Sequence, residues 1–352
     1  MLGIKGLATG IGSLPHLNPQ EALETVLRHC PQIPFWPQLT RRSAAEGMVA
    51  QFSEGLPCLK LTDEGLAFDP QNKDAELERF YEKLLSKDPD YFKISEYAAA
   101  GLYAFKSRLR QDDKFRSSVR YIKCHITGPF TFAGGIKDER GVSLLHEPVF
   151  MQAIIEGLAQ KALWQIRFFE EFGKSVIIFI DEPFLGCFGS AYTPINREDV
   201  VKGLSALTQS FVRRGKVLAG VHCCGNTDWS IFTDVTTIDI INFDAFGFLD
   251  KLTLYAKELS GFLGRGGALC WGIVPTFGSA GTEAPGELME KIKQGVAAFS
   301  QKGLDEELLW RQLCISPACG LGTLTVERAE QALGLLSSTA ALLEKTLENK
   351  NI

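Results

Sequence analysis

A chain of 352 residues, 45% hydrophobic and 22% charged, is long enough to bury a full core and has the composition of neither a disordered nor a membrane protein. Its apolar runs stop short of the ~20 residues a bilayer span needs. A net charge of −5 with no basic stretch argues against a nucleic-acid partner.

In chain order, the first strand is expected at 7–12 (LATGIG). Asn18, Pro19 and Glu21 then form a helix start, followed by Leu23 and Leu27 one turn apart. A second strand falls at 33–36 (IPFW). Residues 38–120 are far longer than an ordinary crossover and rich in helix formers, and they read as a helical insertion across one end of the fold. Apolar, β-branched runs return at 121–127, 176–180, 217–222, 238–243, 267–274 and 311–316. Most are continuous rather than alternating, the pattern of parallel strands covered by helices. Pro285 opens a helix carrying Leu288, Ile292 and Phe299 on one side, and an amphipathic helix follows Cys319. Eight strands with helical connections predict an α/β fold, a (β/α)8 TIM barrel with a helical insertion between strands 2 and 3. With no Pro- or Ser-rich linker, residues 1–352 read as a single domain. The opening MLGIKGLATGIGSLPH carries no secretory pattern, so a cytoplasmic location is expected, without a membrane partner.

Nine cysteines, an odd number in a large chain, predict no disulfide framework. Cys30, Cys58, Cys187 and Cys270 sit in apolar or loop surroundings and read as small buried hydrophobes. Trp36, Trp229 and Trp271 read as core.

In such barrels the reactive groups sit where strands end. The fourth strand ends in IDEP (Asp181, Glu182), the fifth in VHCCGN (His222, Cys223, Cys224), the sixth in INFDAF (Asp244) and the eighth in SPACG (Cys319). His222 and Cys224 are two apart and face the same way in a strand, whereas Cys223 faces the other way. A borderline-soft ion such as zinc accepts sulfur, imidazole nitrogen and carboxylate oxygen together. His222, Cys224 and Cys319 are therefore the expected ligands, with Asp244 as a fourth, although Asp239 lies close by. Such a metal suits the holding of an incoming thiol as thiolate. One of Asp181 and Glu182 is expected to anchor a substrate, for example through an ammonium group; the alternative for the pair is helix capping. Gly12 and Ser13, in IGSLPH, form a turn able to receive a carboxylate, and Gly128 and Pro129 shape a close backbone approach beneath the substrate.

IGSLP, TGPFT, IDEP, HCCGN and SPACGLGTL, spread from residue 10 to residue 325, together resemble the catalytic domain of cobalamin-independent methionine synthase. That family lies within a superfamily that includes uroporphyrinogen decarboxylase. The resemblance implies a zinc held by His222, Cys224, Asp244 and Cys319, with Asp in place of the family's Glu. It also implies that Asp181 binds the homocysteine amino group and that Gly12 and Ser13 receive its carboxylate. Two features depart from the family. There is no room for its additional N-terminal barrel, and Ile273 stands where a histidine of the folate side is expected. The FWPQLTRRSAAEGMVAQFSEG stretch occupies the place of an acidic, substrate-contacting loop, and no residue of it is assigned. The sulfur-activating half of the site is better kept than the folate half, so a methylated corrinoid protein becomes a candidate donor. Transfer to another thiol such as coenzyme M, and a non-catalytic zinc- or corrinoid-binding accessory protein, are the alternatives.

Overall fold

The computed structural model describes residues 2–62, 65–88, 90–138, 140–190, 195–212, 217–277 and 283–352. Its centre is a curled, six-stranded, all-parallel sheet in sequential order: β3 (Tyr121–Thr127), β4 (Ser175–Asp181), β5 (Val217–Cys223), β6 (Ile240–Phe243), β7 (Ala268–Val274) and β8 (Leu313–Pro317). An antiparallel hairpin, β1 (Leu59–Thr62) with β2 (Gly65–Phe68), stands apart from it. Nearly every residue of β4 to β8 is buried. Helices cover one face of these strands and a smaller interior cluster, including Phe179, Ile240, Cys270 and Cys314, fills the other.

The expected eight-stranded ladder is not closed. Residues 7–12 and 33–36 touch their neighbours through isolated parallel bridges, Ala8 to Ile315, Ser13 to Gln38 and Phe35 to Lys123. The cause lies in the residues. Pro31, Pro34 and Pro37 remove every third N–H from PQIPFWPQ, and a strand without donors cannot build a ladder. Gly10 lies so close under the Phe35 ring that a Cβ there would come within 2.3 Å of it. The remaining donors still cover both edges of the sheet. Thr9 N donates to Ile315 O (3.1 Å), Lys123 N to Pro34 O (2.9 Å) and Gln38 N to Gly12 O (3.0 Å).

The region between residues 38 and 120 holds helices Lys73–Leu85, Ala100–Gln111 and Asp113–Ser118 together with the β1–β2 hairpin. The hairpin is absent from the sequence reading because its strands have four residues each and none of them is buried, so they carry no hydrophobic alternation. Asn18 caps the first helix, its Oδ1 accepting from Gln20 N and Glu21 N. Of the four cysteines read as buried, Cys30, Cys58 and Cys270 are, while Cys187 is exposed. Among the described residues, no helix is long and apolar enough to cross a membrane.

Candidate metal centre

The strand register sets out the site. Thr127 of β3 pairs with Asp181 of β4, Asp181 with His222 of β5, and His222 with Asn242 of β6. Parallel pairing puts register partners on the same face, so four polar side chains form one row across the C-terminal ends of four apolar strands. All four are buried. Burying them costs free energy unless each finds a partner, and the partners they find reveal what each does.

His222, Cys224 and Cys319 converge, their ligand atoms all within 4.8 Å of one another. Cys224 follows the last residue of β5 and lies on the His222 side. Cys223 is buried on the other side, its thiol pointing at Gly225 O. Cys319 comes from the loop after β8. Tetrahedral zinc with bonds of 2.0–2.3 Å sets its ligand atoms about 3.5 Å apart. A contraction of at most about 1.3 Å would bring these three donors to that spacing, and their chemistry suits a borderline-soft ion. Three protein donors and one open position is the pattern of catalytic zinc sites.

Asp244 does not join them. Its Oδ1 accepts from Gly247 N at 2.7 Å and caps helix Ala245–Leu252. β6 ends at Phe243 and the chain turns at once into a helix whose first N–H groups need an acceptor, so the carboxylate expected as a fourth ligand serves here as a helix cap.

The charges of the cysteine pair are strongly linked. A hydrogen bond from Cys319, with His222 alongside and burial opposing, brings the Cys224 thiol down to about 4. The Cys319 thiol is pushed up, first by its bond to Cys224 and then by burial. One proton leaves the pair readily and the other is held, because the first thiolate opposes the second. A dication would remove that opposition.

Asn242 sets the direction of His222. Its Nδ2 donates to Cys270 O and to Ser316 Oγ, both at 2.8 Å, and its Oδ1 meets His222 Nδ1. His222 is held above its ordinary value: burial lowers it, but Cys224, Asp181 and Asn242 outweigh that.

Asp181 is buried with an Oδ1 that has no hydrogen-bond partner in the protein. Burial raises its carboxyl to about 6, with His222 and Lys123 pulling it down. Buried polar atoms are nearly always paired, and the described residues supply no partner for this oxygen. Glu182 is the opposite case. Its carboxylate accepts from Phe130 N (3.0 Å), Thr131 N (2.8 Å) and Thr131 Oγ1 (2.6 Å). Burial pushes it up to about 7 against those donors. It anchors helix Pro129–Gly134 to β4 and has no free oxygen facing a substrate. Gly128 is required there, since a Cβ would fall 2.2 Å from the Glu182 carboxyl. TGPFT is therefore a close approach to Glu182.

The cavity over the cluster measures about 290 Å³ and is lined by Asp181, His222, Cys224 and Cys319 together with Ser13, Gln38, Met48 and Phe277. Ser13 Oγ accepts from Gly322 N at 3.2 Å, which joins the first turn to the loop after Cys319. Gly12 lies just behind, its Cα against the His125 ring.

Gln38 was not picked out by the sequence reading. Gln51 Nε2 donates to Ala98 O (2.7 Å), so Gln51 Oε1 must be the acceptor for Gln38 Nε2 (2.9 Å). Gln38 Oε1 is left without a protein donor. Its only signal in the sequence was its place at the start of the loop that the family resemblance marks as substrate-contacting.

The fold and site together define a parallel α/β protein with an imidazole–dithiol cluster at its strand ends. Comparison with protein-family models and with curated proteins finds no match. Among solved structures, a B12-independent methionine synthase from Shewanella sp. W3-18-1, in complex with selenomethionine, aligns with a TM-score of 0.61. The alignment covers 98% of this chain and 99% of that one, at 17% identity. The two share a fold, the methionine-synthase-like one.

Proposed function

We propose that the chain is a zinc-dependent methyltransferase acting on a thiol that carries an ammonium group, homocysteine being the best fit. The observation that carries the reading is the meeting of an imidazole and two thiols with an unpaired, buried Asp181 oxygen in one small cavity. His222, Cys224 and Cys319 would hold the ion. When bound, zinc would hold an incoming thiol in its deprotonated, nucleophilic form. Asp181 Oδ1 and Gln38 Oε1 supply two acceptors for an ammonium, and the turn at Gly12 and Ser13 stands where the carboxylate of such a substrate would lie. Glu182 serves the site by holding the loop beneath it. In this reading the fold is a TIM-type barrel whose first two strands are reduced to bridges.

Two features bear on the alternatives. No Lys or Arg lines the cavity among the described residues, which disfavours a sulfonate thiol such as coenzyme M. A purely structural zinc would have no use for an unpaired acceptor beside it. The cavity, at about 290 Å³, lies at the lower limit for sites that enclose a drug-sized ligand. It has room for an amino-acid thiol, and the methyl donor would approach from outside, which suits a methylated corrinoid protein better than an enclosed methyl-folate. No nucleic acid enters the scheme.

The test is a turnover assay on the zinc-loaded chain with homocysteine and, in parallel, methylcobalamin, a methylated corrinoid protein and methyl-folate. Methionine from any donor supports the reading. Zinc bound with no methionine from any of them would overturn it.

A further inference from the structure

Asn242 is unused by the chemistry just described, yet it is fully buried and all its hydrogen-bonding atoms are engaged. It is β6's contribution to the polar row, since Asp244, two residues on, is turned away to cap a helix. Its amide cannot be reversed. Cys270 O accepts only, and Ser316 Oγ spends its own hydrogen on Pro317 O at 2.8 Å, so both require a donor from Asn242. Nδ2 supplies both hydrogens, which leaves Oδ1 as an acceptor facing His222 Nδ1. An acceptor there places the imidazole hydrogen on Nδ1 and leaves the Nε2 lone pair free.

We infer that Asn242 is a positioning residue that fixes the tautomer and direction of His222 before any metal arrives, and that it does so by bracketing β5 to β8. The bracket runs from His222 through Asn242 to Ser316, three residues ahead of Cys319 on the same segment. One amide thus relates the imidazole ligand to the thiol ligand from the far side of the sheet. Partners of this kind commonly hold a metal-binding histidine by its second nitrogen. Here the partner is a neutral amide rather than a carboxylate, so two thiolates and a neutral imidazole would leave a zinc site with no net charge.

The inference rests on the metal reading above, and its first readout is independent of turnover and of metal. In the zinc-free protein at a pH high enough to leave the imidazole neutral, ¹⁵N NMR should show His222 protonated at Nδ1 and not at Nε2. Asn242→Leu should lose that preference and bind zinc about 10–100-fold more weakly in a chelator competition. Asn242→Asp keeps an acceptor at Nδ1 but loses both donations, to Cys270 O and Ser316 Oγ, so it should retain the tautomer while its zinc affinity falls between wild type and Asn242→Leu. Ser316→Ala, a gentler change, should loosen the tautomer preference with the fold intact by circular dichroism. A neutral His222 with its hydrogen on Nε2 in the wild type would overturn the inference, as would a folded Asn242→Leu with wild-type zinc affinity. So would an Asn242→Asp that loses the tautomer preference as Asn242→Leu does, because the acceptor at Nδ1 would then not be what sets it. If the wild type shows the expected tautomer but binds no zinc, the functional proposal fails while the bracket stands.

Discussion

Asp181 and His222 are register partners on neighbouring strands, both buried, and they differ in what remains open on each. His222 has one nitrogen engaged by Asn242 and the other facing two thiols, whereas Asp181 lines the cavity and its Oδ1 has no partner among the described residues. In the proposed function His222 would hold an ion and Asp181 a substrate, a division that should be separable by mutation.

Asp181→Asn should therefore leave zinc content unchanged while weakening the thiol substrate. Losing a charge-assisted bond costs about 1.5–3 kcal/mol, or roughly 10- to 150-fold in kcat/KM. Loss of zinc in parallel with activity would instead make Asp181 a ligand.

Asp244→Ser should retain zinc, because serine also caps helices well. Metal analysis after dialysis checks this against Cys319→Ala, which should lose most of its zinc. A zinc-free Asp244→Ser would return Asp244 to the ligand set.

The cysteine pair should be reactive when metal-free. With Cys224 brought down to about 4 by Cys319 and His222, iodoacetamide should label it at pH 6, well below the usual thiol range. Zinc should protect it. Peptide mass spectrometry reads both; labelling only above pH 8 would contradict the picture.

Away from the site, Lys161 is fully buried with its Nζ on Lys93 O at 2.9 Å. Burial brings its ammonium down to about 7. In the unfolded chain a lysine stays protonated to about 10.4, so above pH 7 the native state holds fewer protons and stability from this group rises with pH. Lys161→Met should thus exceed the wild type in stability most at pH 6. The gap should narrow between pH 7 and 8.5 by at most about 1.4 kcal/mol per pH unit. Urea unfolding across that range would show it; a gap independent of pH would contradict the burial argument.

Gly320→Ala would place a Cβ 2.2 Å from Ser13 Oγ. The hydroxyl would have to leave Gly322 N, and the loop carrying Cys319 would shift. Zinc affinity and substrate KM should both worsen, with the melting temperature changing little. An unaffected variant would show that the Ser13 tie is dispensable.

How much of this was legible in the residues differs from part to part. β3 to β8 were visible because buried parallel strands are continuous apolar runs, and the polar residues interrupting their ends marked the site. The first two strands misled because LATGIG and IPFW have the composition of strands, while the prolines around IPFW withhold the donors a ladder needs. Period-two alternation pointed to Cys224 rather than Cys223. Asp244 reads as a ligand from its place beside the other candidate donors; that it caps a helix depends on where β6 stops, which sequence locates poorly. Asn242, Gln38 and the role of Glu182 were out of reach, since each is defined by partners distant in the chain. Glu182 is bound by residues 130 and 131, and Asn242 by residues 270 and 316.

The most direct test of the central claim is X-ray absorption at the zinc edge, on the zinc-loaded protein with and without homocysteine. The account predicts two sulfur neighbours and one imidazole from the protein, with one further sulfur appearing when homocysteine is added. A spectrum unchanged by homocysteine, with zinc in place, would contradict it.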